Sequence, residues 1–277
     1  MLRCRHKRPK LKEIHQFMKT VVVTGAGSGI GKEFTRLYLE DGSRVLAVSL
    51  VQAELDQLTE DFRLPASRLA TLQMDLSKPD AGASLLQWCH DNDWFPDTLV
   101  NNAGFACFGD AVDLPVERVA NMLELNVTTL TMTSMLFGRE MKKRRHGSIL
   151  NVGSTAGMVP ATRLAAYCAS KSYVNTFTYA LAAELKPYGV TVTCLTPGPT
   201  QTKFAQAGGI ESFKGKSLLH NMYGKNKATS PAEVAKGAYD ALAAGKSQAL
   251  VGKGAAVAAI LSRLVSQKRL PFLVRNT

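Results

Sequence analysis

The sequence predicts a single doubly wound α/β domain, a parallel sheet with helices on both faces. Three observations carry this reading. Short β-branched apolar runs alternate with longer helix-patterned segments from Lys19 to Gln248, which is how a parallel sheet is written in sequence. A glycine-rich turn, Thr24-Gly25-Ala26-Gly27-Ser28-Gly29-Ile30-Gly31, joins the first such run to the first helical segment. With 277 residues, the chain can bury one large core without a second domain. No internal repeat, low-complexity tract or linker divides it.

The elements follow in order. Lys19-Thr20-Val21-Val22-Val23-Thr24 reads as a strand covered on both faces, as parallel strands are. The glycines after it let the backbone pass close to a pyrophosphate, whose charge faces the N-terminus of the helix expected from Lys32 to Asp41. A plain tight turn is the ordinary alternative, and the strand before and helix after argue against it. The spacing is Gly-x-x-x-Gly-x-Gly, not the commoner Gly-x-Gly-x-x-Gly. Arg44 to Val48 forms the second strand, and Ser49 stands at its end. NAD sites usually put a carboxylate there to bind the ribose 2′-hydroxyl. The nearest acid, Glu54, falls inside the next expected helix.

Further on, Asn101-Asn102-Ala103-Gly104 follows another apolar run, and Ser148 to Gly153 reads as a buried strand that Ser154 ends. Tyr167 and Lys171 come next, four apart, so on a helix both point from one face into one site. A free phenol, with a pKa of about 10, is a poor base at neutral pH. A nearby ammonium favours the phenolate and makes the group a workable proton donor or acceptor for a carbinol/carbonyl pair. A serine hydroxyl on a neighbouring strand can hold the substrate oxygen. Taken singly, these are a surface lysine, a half-buried tyrosine and a strand-end serine. Their order is what gives them meaning.

In that order the motifs resemble the short-chain dehydrogenase/reductase family, and the resemblance covers about Lys19 to Ala243. It implies a Rossmann-type domain binding a nicotinamide dinucleotide, with Asn126, Ser154, Tyr167 and Lys171 as the catalytic set. In this family the asparagine is thought to bend a helix and hold a water in a proton relay to the lysine. The resemblance places cofactor contacts at Gly25, Ser28, Gly29, Ile30 and Gly31 in the loop. Ser49, Asp75 and Leu76 would contact the adenosine end, with Asp75 on the adenine. Asn102, Ala103, Gly104, Tyr167 and Lys171 would lie along the middle. Pro197, Gly198, Thr200 and Thr202 would close the site, with Thr202 on the nicotinamide carboxamide. Asp75 has a second reading, as a helix N-cap ahead of Pro79. NADP-preferring relatives often carry arginine where this chain has Leu50, and a basic residue where it has Ser28. With no carboxylate at Ser49 to repel a 2′-phosphate, the balance tips to NADP(H) over NAD(H).

The net charge of +12 is confined to the ends. Residues 1–12 hold six basic residues and no acid, as do residues 241–277, while the remaining 22 basic and 22 acidic residues cancel. That distribution argues against a nucleic-acid surface on the catalytic body. Residues 1–17 have no apolar h-region and read as a dispensable basic extension. Residues 18–252 form the catalytic domain. Residues 253–277 form a basic amphipathic segment, too interrupted to span a membrane. It would pack on the body or a partner chain, or lie on a membrane surface. The five cysteines and the histidines have no metal spacing, so the expectation is reduced thiols, no metal and a cytoplasmic protein. The resemblance also implies a homodimer or homotetramer through the helices around Val116–Met141 and Tyr167–Leu185. The substrate would be a small secondary alcohol or ketone, largely apolar, under a lid from Phe204 to Asn226 that carries Phe204, Phe213 and Tyr223. Those apolar residues could equally pack on the core or a neighbouring subunit. A rival from another class is a nucleotide-binding sensor or scaffold that keeps the fold without turnover.

Overall fold

The computed structural model describes residues 18–204, 208, 228–266 and 268–270. The expected extension 1–17 and nearly all of the expected lid lie outside them. Seven parallel strands form one sheet: β1 (Thr20–Thr24), β2 (Arg44–Ser49), β3 (Leu69–Gln73), β4 (Thr98–Asn101), β5 (Gly147–Val152), β6 (Val190–Pro197) and β7 (Gln248–Val251). Their spatial order is β3-β2-β1-β4-β5-β6-β7. The order reverses between β1 and β4, and ligands of open α/β sheets bind at the carboxyl ends of the strands at such a switch point.

Helices cover both faces: α1 (Gly29–Glu40), α2 (Gln52–Phe62), α3 (Ala81–Asp91), α4 (Val116–Leu123), α5 (Leu130–Arg144), α6 (Ala165–Leu185), α7 (Pro231–Ala243) and α8 (Ala255–Leu264). The period of two along the strands decides which face each side chain serves. Val21, Val23, Val45 and Ala47 pack with Phe34 of α1, Leu55 and Leu58 of α2 and Val234 and Ala238 of α7. Val22, Leu46 and Val48 pack on the other face with Leu85 of α3, Phe137 of α5 and Leu181 of α6. Burying a side chain such as Leu46 or Phe34 contributes about 1.5–3 kcal/mol each.

Several boundaries differ from those read in sequence. The first helix starts at Gly29, three residues before Lys32, because the glycine turn itself winds into it. Asp80 stands at the N-cap position of α3. Asp75 instead ties a turn, accepting hydrogen bonds from the Ser77 N–H at 3.0 Å and Ser77 Oγ at 2.6 Å. At the C-terminal end α8 is short, and Ala255 is its only buried residue. Val257, Ile260 and Leu264 remain exposed, so of the three expected placements of this segment, packing on the described body is not the one these side chains take. Ser230-Pro231 does start α7, with a reciprocal capping box. Ser230 Oγ accepts from the Glu233 N–H, and Glu233 Oε2 accepts from the Ser230 N–H.

Candidate active site

The site grows from the carboxyl ends of β1, β4 and β5. Thr24 ends β1, and its hydroxyl accepts the N–H groups of both Asn102 and Ala103 at 3.0 Å. The Asn102 side-chain amide reaches back to the carbonyls of Thr24 and Gly25 at 2.9 and 3.0 Å. Together these bonds clamp the Asn-Asn-Ala-Gly segment to the glycine turn. Gly25 (φ +63°) and Gly29 (φ +55°) occupy the left-handed region, which costs a side chain strain and glycine little. At Gly31 a Cβ would run into the Gly25 carbonyl. Ser28, at the N-cap of α1, makes no side-chain capping bond. The first-turn N–H groups of α1 therefore face the cleft as an anion cradle. A pyrophosphate fits that cradle on chemistry and on space.

Asn126 lies in a π-helical turn, Glu124–Thr129, between α4 and α5. Such single turns interrupt α-helices mostly at functional sites. The side chain is fully buried. Its Oδ1 accepts from the Phe105 N–H at 3.1 Å, and its Nδ2 donates to the Phe105 carbonyl at 2.9 Å. A Cβ on Gly104 would stand 2.7 Å from Asn126 Oδ1 and 3.7 Å from Lys171 Nζ, so the bare glycine leaves the gap between those two groups open.

Tyr167 and Lys171 share one face of α6, and both are buried. Lys171 Nζ donates to the Val152 carbonyl at 2.8 Å and stands 6.0 Å from the centre of the Tyr167 ring. Burial pulls its pKa down to about 8. Ser154 Oγ accepts the Ala156 N–H at 3.0 Å, which leaves the hydroxyl proton available to a substrate oxygen. One α6 residue was not read from the sequence. Asn175, four after Lys171, donates from Nδ2 to the Ser154 carbonyl at 3.0 Å and accepts from the Ser154 N–H at 3.4 Å. Its spacing on the Tyr167–Lys171 face was the available signal. Behind the site, Asn101 Nδ2 donates to Asn151 Oδ1 at 2.9 Å, and Asn151 Nδ2 donates to Thr178 Oγ1 at 3.2 Å. This chain of amides fixes β4 and β5 to α6.

These groups open on one cleft of about 540 Å³. Gly25, Ser28, Gly29, Ile30, Asn102, Ala103 and Gly104 line it, with Ser154, Tyr167 and Lys171 and with Pro197, Gly198, Thr200 and Thr202. Thr202 closes over the loop, its Cγ2 3.1 Å from where a Cβ on Gly29 would be. Gly31, Ser49, Asp75, Leu76 and Asn126, also expected at the site, are not among the lining residues. Leu76 is buried, and its carbonyl accepts from Thr129 Oγ1 at 2.7 Å. The lining also includes Glu54. Its carboxylate folds back over the glycine loop and accepts a long bond from Ser49 Oγ at 3.4 Å. β2 itself ends in Ser49, as expected, and the Glu54 carboxylate of the following helix stands beside that strand end.

On the substrate side, Phe204 stacks obliquely on Tyr167 with ring centres 5.5 Å apart. Phe105, Phe108, Met122 and Leu164 join them in one apolar cluster. Of the expected lid, only Phe204 and Gly208 are among the described residues. The Gly208 carbonyl accepts the Phe108 N–H at 3.1 Å. Cys107 and Cys168 are buried, as are Cys89 and Cys194, and none of the four forms a disulfide. Among the described residues no cluster of His, Cys, Asp or Glu could hold a metal, and no helix is long and apolar enough to cross a membrane.

A parallel sheet with a glycine cradle at its switch point, and a Ser-Tyr-Lys set opening on the same cleft, defines an NAD(P)-dependent oxidoreductase. Comparison with known proteins agrees. The family model for short chain dehydrogenases matches residues 19–210. The chain is 33% identical over 181 residues to an NAD-dependent glycerol dehydrogenase of Listeria innocua, covering 65% of this chain and 69% of that protein. It is 31% identical over 193 residues to a 3-oxoacyl-[acyl-carrier-protein] reductase of Vibrio cholerae, covering 68% and 76%. A short-chain dehydrogenase from Sphingobium yanoikuyae, solved in complex with NADPH, superposes with a TM-score of 0.76 at 25% identity, covering 89% of this chain and 94% of that one. The protein belongs to the short-chain dehydrogenase family.

Proposed function

We propose that the protein interconverts a secondary alcohol and a ketone of largely apolar character. The observation that carries this is the convergence of Ser154, Tyr167 and Lys171 on the cleft that holds the glycine cradle, beside the aromatic cluster of Phe105, Phe108 and Phe204. A bound nicotinamide supplies the hydride chemistry. In reduction Tyr167 Oη gives its proton to the carbonyl oxygen, and in oxidation it takes the carbinol proton. Ser154 Oγ donates to that oxygen and holds it in place. Protonated Lys171 favours the phenolate of Tyr167 and has donors left over for ribose hydroxyls after the Val152 bond. Asn126 holds the Phe105 backbone and one wall of the gap beside Lys171. Ser28, Gly29 and Ile30 cradle the pyrophosphate, and Thr202 covers the nicotinamide end.

Apolar surface beside a hydride-transfer site excludes water from the reaction. The 3-oxoacyl chemistry named for the Vibrio relative favours the same reading, whereas the glycerol named for the Listeria relative favours a small polyol. The test is kcat/KM along a ketone series of growing alkyl length. Each methylene that enters the pocket should contribute up to about 0.8 kcal/mol until it is full. A flat series, or preference for polyols, overturns the apolar pocket. Absence of turnover with every carbonyl, despite cofactor binding, favours the sensor reading. Self-association through α5 and α6 fits the exposure of Met132, Met135 and Tyr173 on those helices.

A further inference from the structure

Among the described residues lining the cleft Glu54 is the one acid, and it stands at the end of the cleft where the adenosine half of a dinucleotide would pass. A dinucleotide with its pyrophosphate at the start of α1 and its nicotinamide beside Tyr167 and Lys171 would send its adenosine end the other way, toward the carboxyl end of β2, which neighbours β1 on the side away from β4. Ser49 ends that strand almost fully buried, with its Oγ accepting the Val51 N–H at 3.3 Å. Glu54, in the first turn of α2, reaches from the far side of this corner. A Cβ on Gly27 would stand 2.5 Å from Glu54 Oε2 and 3.1 Å from Ser49 Oγ. The bare backbone of Gly27 is what admits the carboxylate over the loop. The two residues between Ser49 and Gln52, Leu50 and Val51, are apolar and exposed. The cations lining the cleft, Lys171 and Lys203, belong to α6 and to the segment after β6.

We propose that Glu54 is the specificity-determining residue for the cofactor, accepting the 2′-hydroxyl of an NAD(H) adenosine ribose and repelling the 2′-phosphate of NADP(H). A carboxylate accepts hydrogen bonds and donates none when ionised. It therefore pairs with a ribose diol and meets a phosphate as a like charge. The usual acid sits at the end of the strand. Here the same chemistry arrives from the following helix, five residues later in the chain. Ser49 positions it, and Gly27 leaves it room.

The inference rests on the oxidoreductase reading only in requiring that a nicotinamide dinucleotide binds, so its test uses binding without substrate. Dissociation constants for NADH and NADPH are measured by fluorescence titration for the wild type, Glu54→Gln and Glu54→Asp, with melting temperatures as a check on folding. The wild type should bind NADH roughly tenfold or more tighter than NADPH, the scale of a charge-assisted hydrogen bond exchanged for a repulsion. Glu54→Gln should weaken NADH and tighten NADPH, bringing the two within about threefold. Glu54→Asp keeps the charge but shortens the reach, so NADH should weaken while NADPH stays poor. Tighter wild-type binding of NADPH, or an unchanged ratio in Glu54→Gln, overturns the assignment of Glu54. Failure of both dinucleotides to bind overturns the oxidoreductase reading with it. If Glu54→Gln melts early, the wild-type ratio and Glu54→Asp still decide.

Discussion

The two halves of the cleft are built on different principles. On the nicotinamide side, the groups that do chemistry are held by the backbone or by buried amides. Lys171 is tied to the Val152 carbonyl, Ser154 to Asn175, and Asn126 to both polar atoms of the Phe105 backbone. On the adenosine side the decisive group is a single carboxylate held by one long bond to Ser49 and by the space over Gly27. The first half is over-determined and rigid, which is what positioned acid/base chemistry requires. The second depends on the reach of one side chain, and a selectivity that depends on one side chain is easily changed.

The largest test of the rigid half is Tyr167→Phe. The ring and its contact with Phe204 survive, and only the hydroxyl is lost. The variant should fold and bind dinucleotide but lose about 10²–10⁴-fold in kcat, the usual contribution of a general acid/base group. Near wild-type turnover would remove Tyr167 from the mechanism.

The buried amine gives the next effect. Lysine ordinarily titrates at 10.5, and burial holds Lys171 at about 8. Below about pH 8 both folded and unfolded chains carry the proton, and the folded state bears the whole penalty. Between about 8 and 10.5 the unfolded chain binds more protons than the folded one, so this group's contribution to stability rises with pH. Lys171→Met lacks the group. Without cofactor, that variant should be the more stable at pH 7, by up to about 3 kcal/mol, and its advantage should shrink as pH rises to 10. Denaturant midpoints of both proteins at four pH values would show this. A gap that stays constant with pH contradicts it. Activity should be lost in the variant at every pH.

A smaller loss is expected from Asn175→Ala. It removes both hydrogen bonds to the Ser154 backbone and leaves buried groups unpaired, at about 1–3 kcal/mol of stability. If Asn175 positions Ser154, kcat should fall while the dissociation constant for cofactor stays within about twofold, because no cofactor contact is lost. Equal losses in both would mean that the amide only supports the fold.

The contrast between the halves also explains what could be read without a structure. The alternation of β-branched runs and helical segments was enough for the parallel sheet, because each strand of such a sheet is buried on both faces and must be apolar. Ser154, Tyr167 and Lys171 could be picked out because their order resembles that of a known family, and a strand end and a single helix turn are enough to bring them to one cleft. Asn175 was within reach of the same argument, one turn further along. Glu54 was not. Its place depends on how α2 packs after β2 and on a rotamer over Gly27, neither of which leaves a periodic mark in sequence. The start of α1 was misplaced for a related reason, since glycines read as turn while packing against Gly25 winds them into helix.

The finest test bears on the adenosine corner itself. If the strand end were the selecting position, Ser49→Asp would convert an NADP(H) site into an NAD(H) site and change the ratio of dissociation constants by tenfold or more. With Glu54 already covering Gly27, the new carboxylate enters a place that holds one. Two carboxylates so close disfavour double ionisation, and Glu54 also loses the hydroxyl that now donates to it. The added repulsion toward a 2′-phosphate should then be slight, about threefold at most. NADH should bind no better, because the ribose already has its acceptor. The effect should depend on Glu54. In the Glu54→Gln background, Ser49→Asp should restore most of the lost preference for NADH, whereas in the wild type it should do little. A double-mutant cycle on the two cofactor ratios measures that coupling directly. Equal and additive effects in both backgrounds would mean that the two positions act separately and that the strand end selects on its own.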